Sequence, residues 1–215
     1  MRETAEAPAP PSFPWPPEEN GSIAEAFVRT WREGVFHPTA FFRAMPRTRG
    51  IGEALLYYLP VGVVAAGISL FWRVVLGPVD FGGNEALARF ARETNTPLQG
   101  FLLSPLYLLL LLFVAAAVIH VCLKLLGAAH HGFRTTVRVL CFAYSPALLE
   151  IIPRLGGLIA TIWMTIIAII GLREAQETTT GRAAAAVLMP VILLGGFVVF
   201  AVLLVAYGLL LQPVN

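Results

Sequence analysis

The sequence predicts an all-α integral membrane protein, a five-transmembrane-helix bundle with an N-terminal interfacial amphipathic helix. Three observations predict it. Five long apolar runs, near Ile51–Leu76, Phe101–Leu126, Phe133–Ile152, Leu155–Leu172 and Ala183–Leu211, are separated by short polar breaks. Each approaches or exceeds the roughly 20 residues that a helix needs to cross a hydrocarbon core about 30 Å thick. Charged residues make up 13% of the chain and hydrophobic residues 57%, whereas a soluble domain carries about 25% charged residues. A small soluble core leaves most helices with one wet face, so it cannot hide this much apolar surface. Finally, five crossings would place eleven of the fifteen Lys and Arg residues on one side. By the positive-inside rule that side, which holds the amino terminus, is cytoplasmic, and the carboxy terminus is outside.

Residues 1–20 carry Pro8, Pro10, Pro11, Pro14, Pro16 and Pro17 among small and acidic residues. Such a segment buries too little to offset its ordering entropy, so a disordered or polyproline-II tail is expected. Pro14 and Pro17 around Trp15 also permit a second reading, a ligand for an aromatic groove. No apolar signal-peptide core is present there, so the first span is expected to serve as the insertion signal.

Residues 21–50 form the next unit. Ser22 with Glu25 is a capping-box signature, and Ile23, Phe27, Trp31 and Val35 recur every four residues on one helical face. The stretch is too polar to span, so it is expected to lie along the headgroups. Phe27, Trp31, Arg47 and Arg49 are the expected membrane-anchoring residues.

Residues 51–211 form the transmembrane domain, and 212–215 a short carboxy-terminal tail. The 77–100 connection is the sizeable external segment, and its Glu85–Glu93 part is expected to form a short surface helix. Pro153–Gly157 is so short that the third and fourth spans must form an antiparallel hairpin. Pro146 should kink the third span and free a carbonyl for a neighbouring hydroxyl. Tyr144 and Pro146 are expected in the bundle interior. The fifth run exceeds the core thickness and should tilt or bend near Pro190. Gly62/Ala66 and Ala65/Ser69 are small-xxx-small pairs suited to close helix approach, within the chain or in a homo-oligomer. Tyr144, Ser145, Thr161 and Thr165 are expected to hydrogen-bond across helices.

Chemistry is sparse. No run carries an ionised group in its central third, which disfavours proton relays and ion-coupled transport. Glu53 sits at the start of the first span, Arg73 near its end, and Glu150 one turn from Arg154, which suggests an end-of-helix pair. His120, Cys122, His130, His131 and Cys141 gather toward one face. The spacing of His120 and Cys122 does not put both on one helical face, and adjacent histidines in a basic connection read as solvated. No metalloprotease, nucleophile-elbow or phosphate-loop motif occurs. A non-enzymatic protein without metal or cofactor is expected. The scattered basic residues do not suggest nucleic acid.

Three segments carry a family resemblance. His37-Pro38-Thr39-Ala40-Phe41-Phe42 precedes the first span, Thr136–Pro146 (TVRVLCFAYSP) fills the third, and Ile162-Trp163 followed by Ile169–Ala175 (IIGLREA) closes the fourth. In this order and spacing, over about residues 35–205, the chain resembles the Yip1-domain family of five-span membrane proteins, its bacterial branch in particular. The resemblance implies architecture more than role. Eukaryotic members act in vesicle traffic and bind prenylated small GTPases through an acidic D-L-Y-G-P-like motif, which this sequence lacks. Cys141-Phe142 also stands where the eukaryotic pattern has Gly-Tyr. The expectation is therefore a multi-pass protein of the cytoplasmic (inner) membrane. It would organise the bilayer or bind a membrane or cytoplasmic protein partner at its cytoplasmic face. A small-solute or ion transporter or channel is the alternative.

Overall fold

The computed structural model describes residues 13–17, 21–46, 49–77 and 97–210, and no strand occurs among them. Arg47, most of the expected tail at 1–20, the Glu85–Glu93 helix and residues 212–215 lie outside the described residues. In chain order the helices are α1 (Ile23–Phe36), α2 (Pro38–Ala44), α3 (Ile51–Leu76), α4 (Pro97–Leu102), α5 (Ser104–Leu125) and α6 (Gly132–Ala143). A 3-10 helix (Ser145–Ile151), α7 (Gly156–Ala175) and α8 (Thr180–Leu210) complete the elements among the described residues.

By length and composition α3, α5 and α7 can each cross a membrane, and Thr180–Leu193 is a shorter apolar stretch of α8. Their outer faces are those of a membrane protein. Leu106, Leu110 and Val114 of α5, Leu158 and Ile162 of α7, and Val191, Ile192 and Leu193 of α8 are all exposed. Continuous apolar surface of this extent is a liability in water and the natural state in lipid. The chain is thus an all-helical, multi-span membrane protein.

The third apolar run departs most from expectation. A single helix through Phe133–Ile152 does not form: α6 ends at Ala143 and the chain continues as the 3-10 helix. Pro146 explains the change, since it lacks an N–H and its ring opposes the carbonyl of Phe142 one turn back. Ser145 Oγ donates to that Phe142 carbonyl at 2.6 Å, which supplies the missing partner. At about 1.5 and 2.0 Å per residue, the two pieces together reach about 32 Å. This broken element is the centre of the bundle: α6 packs on α3, α5 and α7, and the 3-10 helix on α3 and α7. Its sides face protein, so it need not be uniformly apolar. Thr135, Thr136 and Arg138 are all buried within it.

Close packing is localised at glycine. A Cβ at Gly171 of α7 would lie 2.7 Å from Val139 and 3.0 Å from Phe42, so α2, α6 and α7 converge there. A Cβ at Gly62 of α3 would overlap Leu108 of α5, so that small face is used within the chain. Thr161 and Thr165 do not bond across helices as expected. Each donates at 2.8 Å to the carbonyl four residues back; Thr161 is exposed, and Thr165 is half-buried beside a gap between helices.

A groove of aromatic side chains at the amino-terminal end

The end of the bundle that carries the amino-terminal segment, the α5–α6 turn and the α7–α8 turn is called proximal below, and the opposite end distal. At the proximal end α1 is bound to the bundle by two indoles. Trp31 Nε1 donates to the Ser145 carbonyl at 2.9 Å, and Trp163 Nε1 of α7 donates to the Val35 carbonyl at 3.1 Å. The second bond satisfies one of the carbonyls that a helix end leaves without an intrahelical donor. Ser145 is a junction, since its hydroxyl also meets Tyr57 Oη at 2.8 Å.

Between α1, α2, α3 and α6 lies a groove walled by Phe27, Phe41, Tyr57 and Phe142, and residues 13–17 occupy it. Phe13 packs on Phe41 and Phe142, with ring centroids 4.8 and 5.5 Å away. Trp15 is 5% exposed and lies 5.7 Å from Tyr57 and 6.4 Å from Phe27. Its Nε1 donates to the Glu53 carbonyl at 2.6 Å, and Arg49 Nη1 donates to the Trp15 carbonyl at 3.2 Å. Alternate residues of an extended chain point the same way, so Phe-Pro-Trp can send both rings into one groove.

Arg138 supports this floor. At 2% exposure it donates to the carbonyl of Pro46 and, at 3.4 Å, to that of Arg49, which ties α6 to the link into α3. A scan for charge in the middle third of each span passes over Arg138, because it lies in the first third of its run.

The second proximal cluster surrounds Gln176, which is fully buried at the end of α7. Its Oε1 accepts from the His131 backbone N–H at 2.7 Å, and its Nε2 donates to Gly132 O and Thr136 Oγ1 at 3.1 Å each. The α5–α6 turn is thereby fastened to the α7–α8 turn. The histidines considered as metal ligands are engaged separately. His120 Nδ1 meets Thr136 Oγ1 at 3.0 Å, His130 Nδ1 meets Gln176 O at 2.8 Å, and His131 Nε2 meets Glu177 at 3.1 Å. Cys122 and Cys141 are buried free thiols. Among the described residues no three His, Cys, Asp or Glu side chains converge in a way that could hold a metal ion.

Of the expected anchoring residues, Phe27 and Trp31 are turned onto protein, while Ile23, Val28 and Phe36 are the exposed apolar residues of α1. Arg49 is exposed and lies 3.8 Å from Glu53. Pro146 is buried, and Tyr144 is half-buried with its ring 4.9 Å from Tyr58. The expected Glu150–Arg154 pair is replaced by a hydrogen bond between Glu150 and Ser69 of α3. Arg154, with φ of 64°, sits in the exposed turn before α7. Phe13, Arg138 and Gln176 are the residues that sequence reasoning missed, while Trp15 was named in the second, aromatic-groove reading of the tail. The Phe-Pro-Trp-Pro string was the available signal for Phe13, while a buried uncharged amide such as Gln176 leaves none.

An all-helical, multi-span membrane bundle is the class these features define. The Yip1 domain family matches residues 34–203, most of the chain, and the protein belongs to that family. No curated protein and no solved structure matches it. Yip1-family membrane proteins are structural and organising, not catalytic. Residues 13–17, together with nearly all of α1, precede the matched region.

Proposed function

We propose that the protein is a five-span component of the cytoplasmic (inner) membrane, amino terminus inside, that docks a protein partner through its proximal aromatic groove. The observation that carries this reading is the occupied groove itself, a surface shaped for an extended aromatic-proline segment and now filled by the chain's own Phe13–Pro17. A magnitude supports exchange. Burying the two rings contributes about 5–7 kcal/mol, and two hydrogen bonds add about 1 kcal/mol each. Ordering five backbone residues costs about 5–10 kcal/mol. The balance lies near zero, so a competing segment can displace this one. Groove recognition of proline-containing peptides by aromatic walls is a general mode. The exposed apolar residues of α1, with Arg47 and Arg49, would face the headgroups beside it.

The test uses the full chain in lipid nanodiscs. A fluorescent peptide with the sequence of residues 11–18 should bind the Phe13→Ala/Trp15→Ala variant at least about tenfold more tightly than the intact chain, where the groove is filled. The same peptide with both aromatics changed to alanine should not bind. Failure of the authentic peptide to bind the vacated variant would reject the groove as a docking site. Solute flux in reconstituted liposomes that depends on Glu53 or Glu150 would favour the transport alternative. A cysteine placed at Thr179 should be labelled only from the inner side; labelling from outside would reverse the orientation.

A further inference from the structure

The distal half of the bundle holds an open cleft of about 300 Å³ between α3, the α4–α5 break and the 3-10 helix. Small residues Gly62, Ala65 and Ala66 keep its wall low, and six polar side chains line it: Ser69, Arg73, Ser104, Tyr107, Tyr144 and Glu150. Glu150 is half-buried, and its carboxylate meets the hydroxyl of Ser69. Ser104 is 8% exposed, and its hydroxyl has no hydrogen-bond partner although it is buried. A carboxylate offers about four acceptor sites, and one hydroxyl leaves most of them unused where water is scarce. An orphaned hydroxyl lining the same cleft adds to the deficit.

The missing partner is therefore a compact group rich in N–H donors and positively charged. Arg73 then restricts the choice. It lies four residues after Ser69 on the same face of α3, so their Cβ atoms are about 5–6 Å apart. It is also within a turn of the end of α3 at Leu76, at headgroup depth for a helix that spans. The cleft thus presents an anion deep in the wall and a cation one turn nearer the helix end.

We propose that this cleft binds a phosphoethanolamine group, its primary ammonium on Glu150 and Ser104 and its phosphate on Arg73. Two carbons separate the charged ends of such a group, a span comparable to one helical turn. A trimethylammonium head has no N–H to give the carboxylate or the Ser104 hydroxyl, and a glycerol head has no cation, so both fit less well. The group can arrive on an aminophospholipid of the distal leaflet or as a free phosphorylated amine. This site is independent of the proximal groove.

Native mass spectrometry on the delipidated full chain tests it, by titration with phosphatidylethanolamine, phosphatidylcholine and phosphatidylglycerol of identical acyl chains. The ethanolamine lipid should bind about tenfold more tightly than the other two. Glu150→Gln should abolish that preference, and Arg73→Gln should weaken the ethanolamine and choline lipids alike. Ser104→Ala, a change too small to threaten folding, should weaken the ethanolamine lipid about two- to fivefold. Competition by free phosphoethanolamine would identify the soluble molecule as a ligand, and lipid preference without such competition would identify the lipid. Equal retention of all three lipids by the intact chain, preference for the choline or glycerol lipid, or unchanged preference in both Glu150→Gln and Ser104→Ala would overturn the proposal.

Discussion

The two ends of the bundle arrange their polar groups differently, in networks at the proximal end and around an open cleft at the distal end. At the proximal end several buried polar side chains are knitted into networks within the chain, although Glu53 Oε2, Arg138 Nε and Thr178 Oγ1 are buried there without a hydrogen-bond partner. Gln176 reaches three partners, Ser145 joins Trp31, Tyr57 and Phe142, and Arg138 caps two carbonyls. At the distal end Glu150 has one hydroxyl partner and Ser104 has none among the described residues. A buried polar group without a partner is costly, and such groups occur at both ends, so what sets the distal pair apart is that Ser104 and Glu150 line an open cleft. The contrast separates what holds this protein together from what it holds.

The comparison is broken most forcefully at Gln176. Gln176→Leu keeps the volume but leaves the His131 N–H and the Gly132 carbonyl without their side-chain partner and the Thr136 hydroxyl with His120 alone, and should cost about 3 kcal/mol. Denaturant unfolding in detergent micelles would show it, and a loss below about 1 kcal/mol would mean the proximal cluster is not what secures the two turns. Gly171→Ala should come next, at about 2 kcal/mol, because both Val139 and the Phe42 ring must give way. Unchanged thermal unfolding of that variant would show that α2 and α7 can part without penalty. Ser145→Ala should lose about 1–2 kcal/mol by leaving the Phe142 carbonyl and Tyr57 hydroxyl unanswered. At the distal end Glu150→Gln keeps a side chain that can bond Ser69, and its thermal unfolding should shift by less than about 0.5 kcal/mol. A loss there as large as at Gln176 would erase the distinction between the two ends.

Much of the fold was legible. Ile51–Leu76 is both the first apolar run and α3, because a lipid-facing helix must be apolar nearly all round and that demand is written residue by residue. Phe133–Ile152 was read as one span kinked at Pro146, and the structure goes further by ending the α-helix at Ala143. A central helix is screened from lipid by its neighbours, so Arg138 and two threonines are tolerated and Pro146 can end the α-helix at a carbonyl that Ser145 satisfies. Of the periodic residues of α1, Ile23 is exposed and Phe27, Trp31 and Val35 are not, and periodicity does not say against what a face is buried. Phe27, Trp31 and Val35 turn to protein because Ser145, Tyr57 and Trp163 are there to receive them.

The candidate sites were less legible still. Trp15 and Glu53 are 38 positions apart, Trp31 and Ser145 are 114 apart, and Ser69 and Glu150 are 81 apart. Composition by itself determined that this chain belongs in lipid and roughly where its helices begin and end, since the solvent acts on every residue separately. Only the tertiary structure decided that a proline-rich string lies in an aromatic groove and that Glu150 faces a cleft instead of Arg154. Those outcomes depend on which side chains distant segments bring within 3 or 4 Å of each other, a distance on which no local pattern bears.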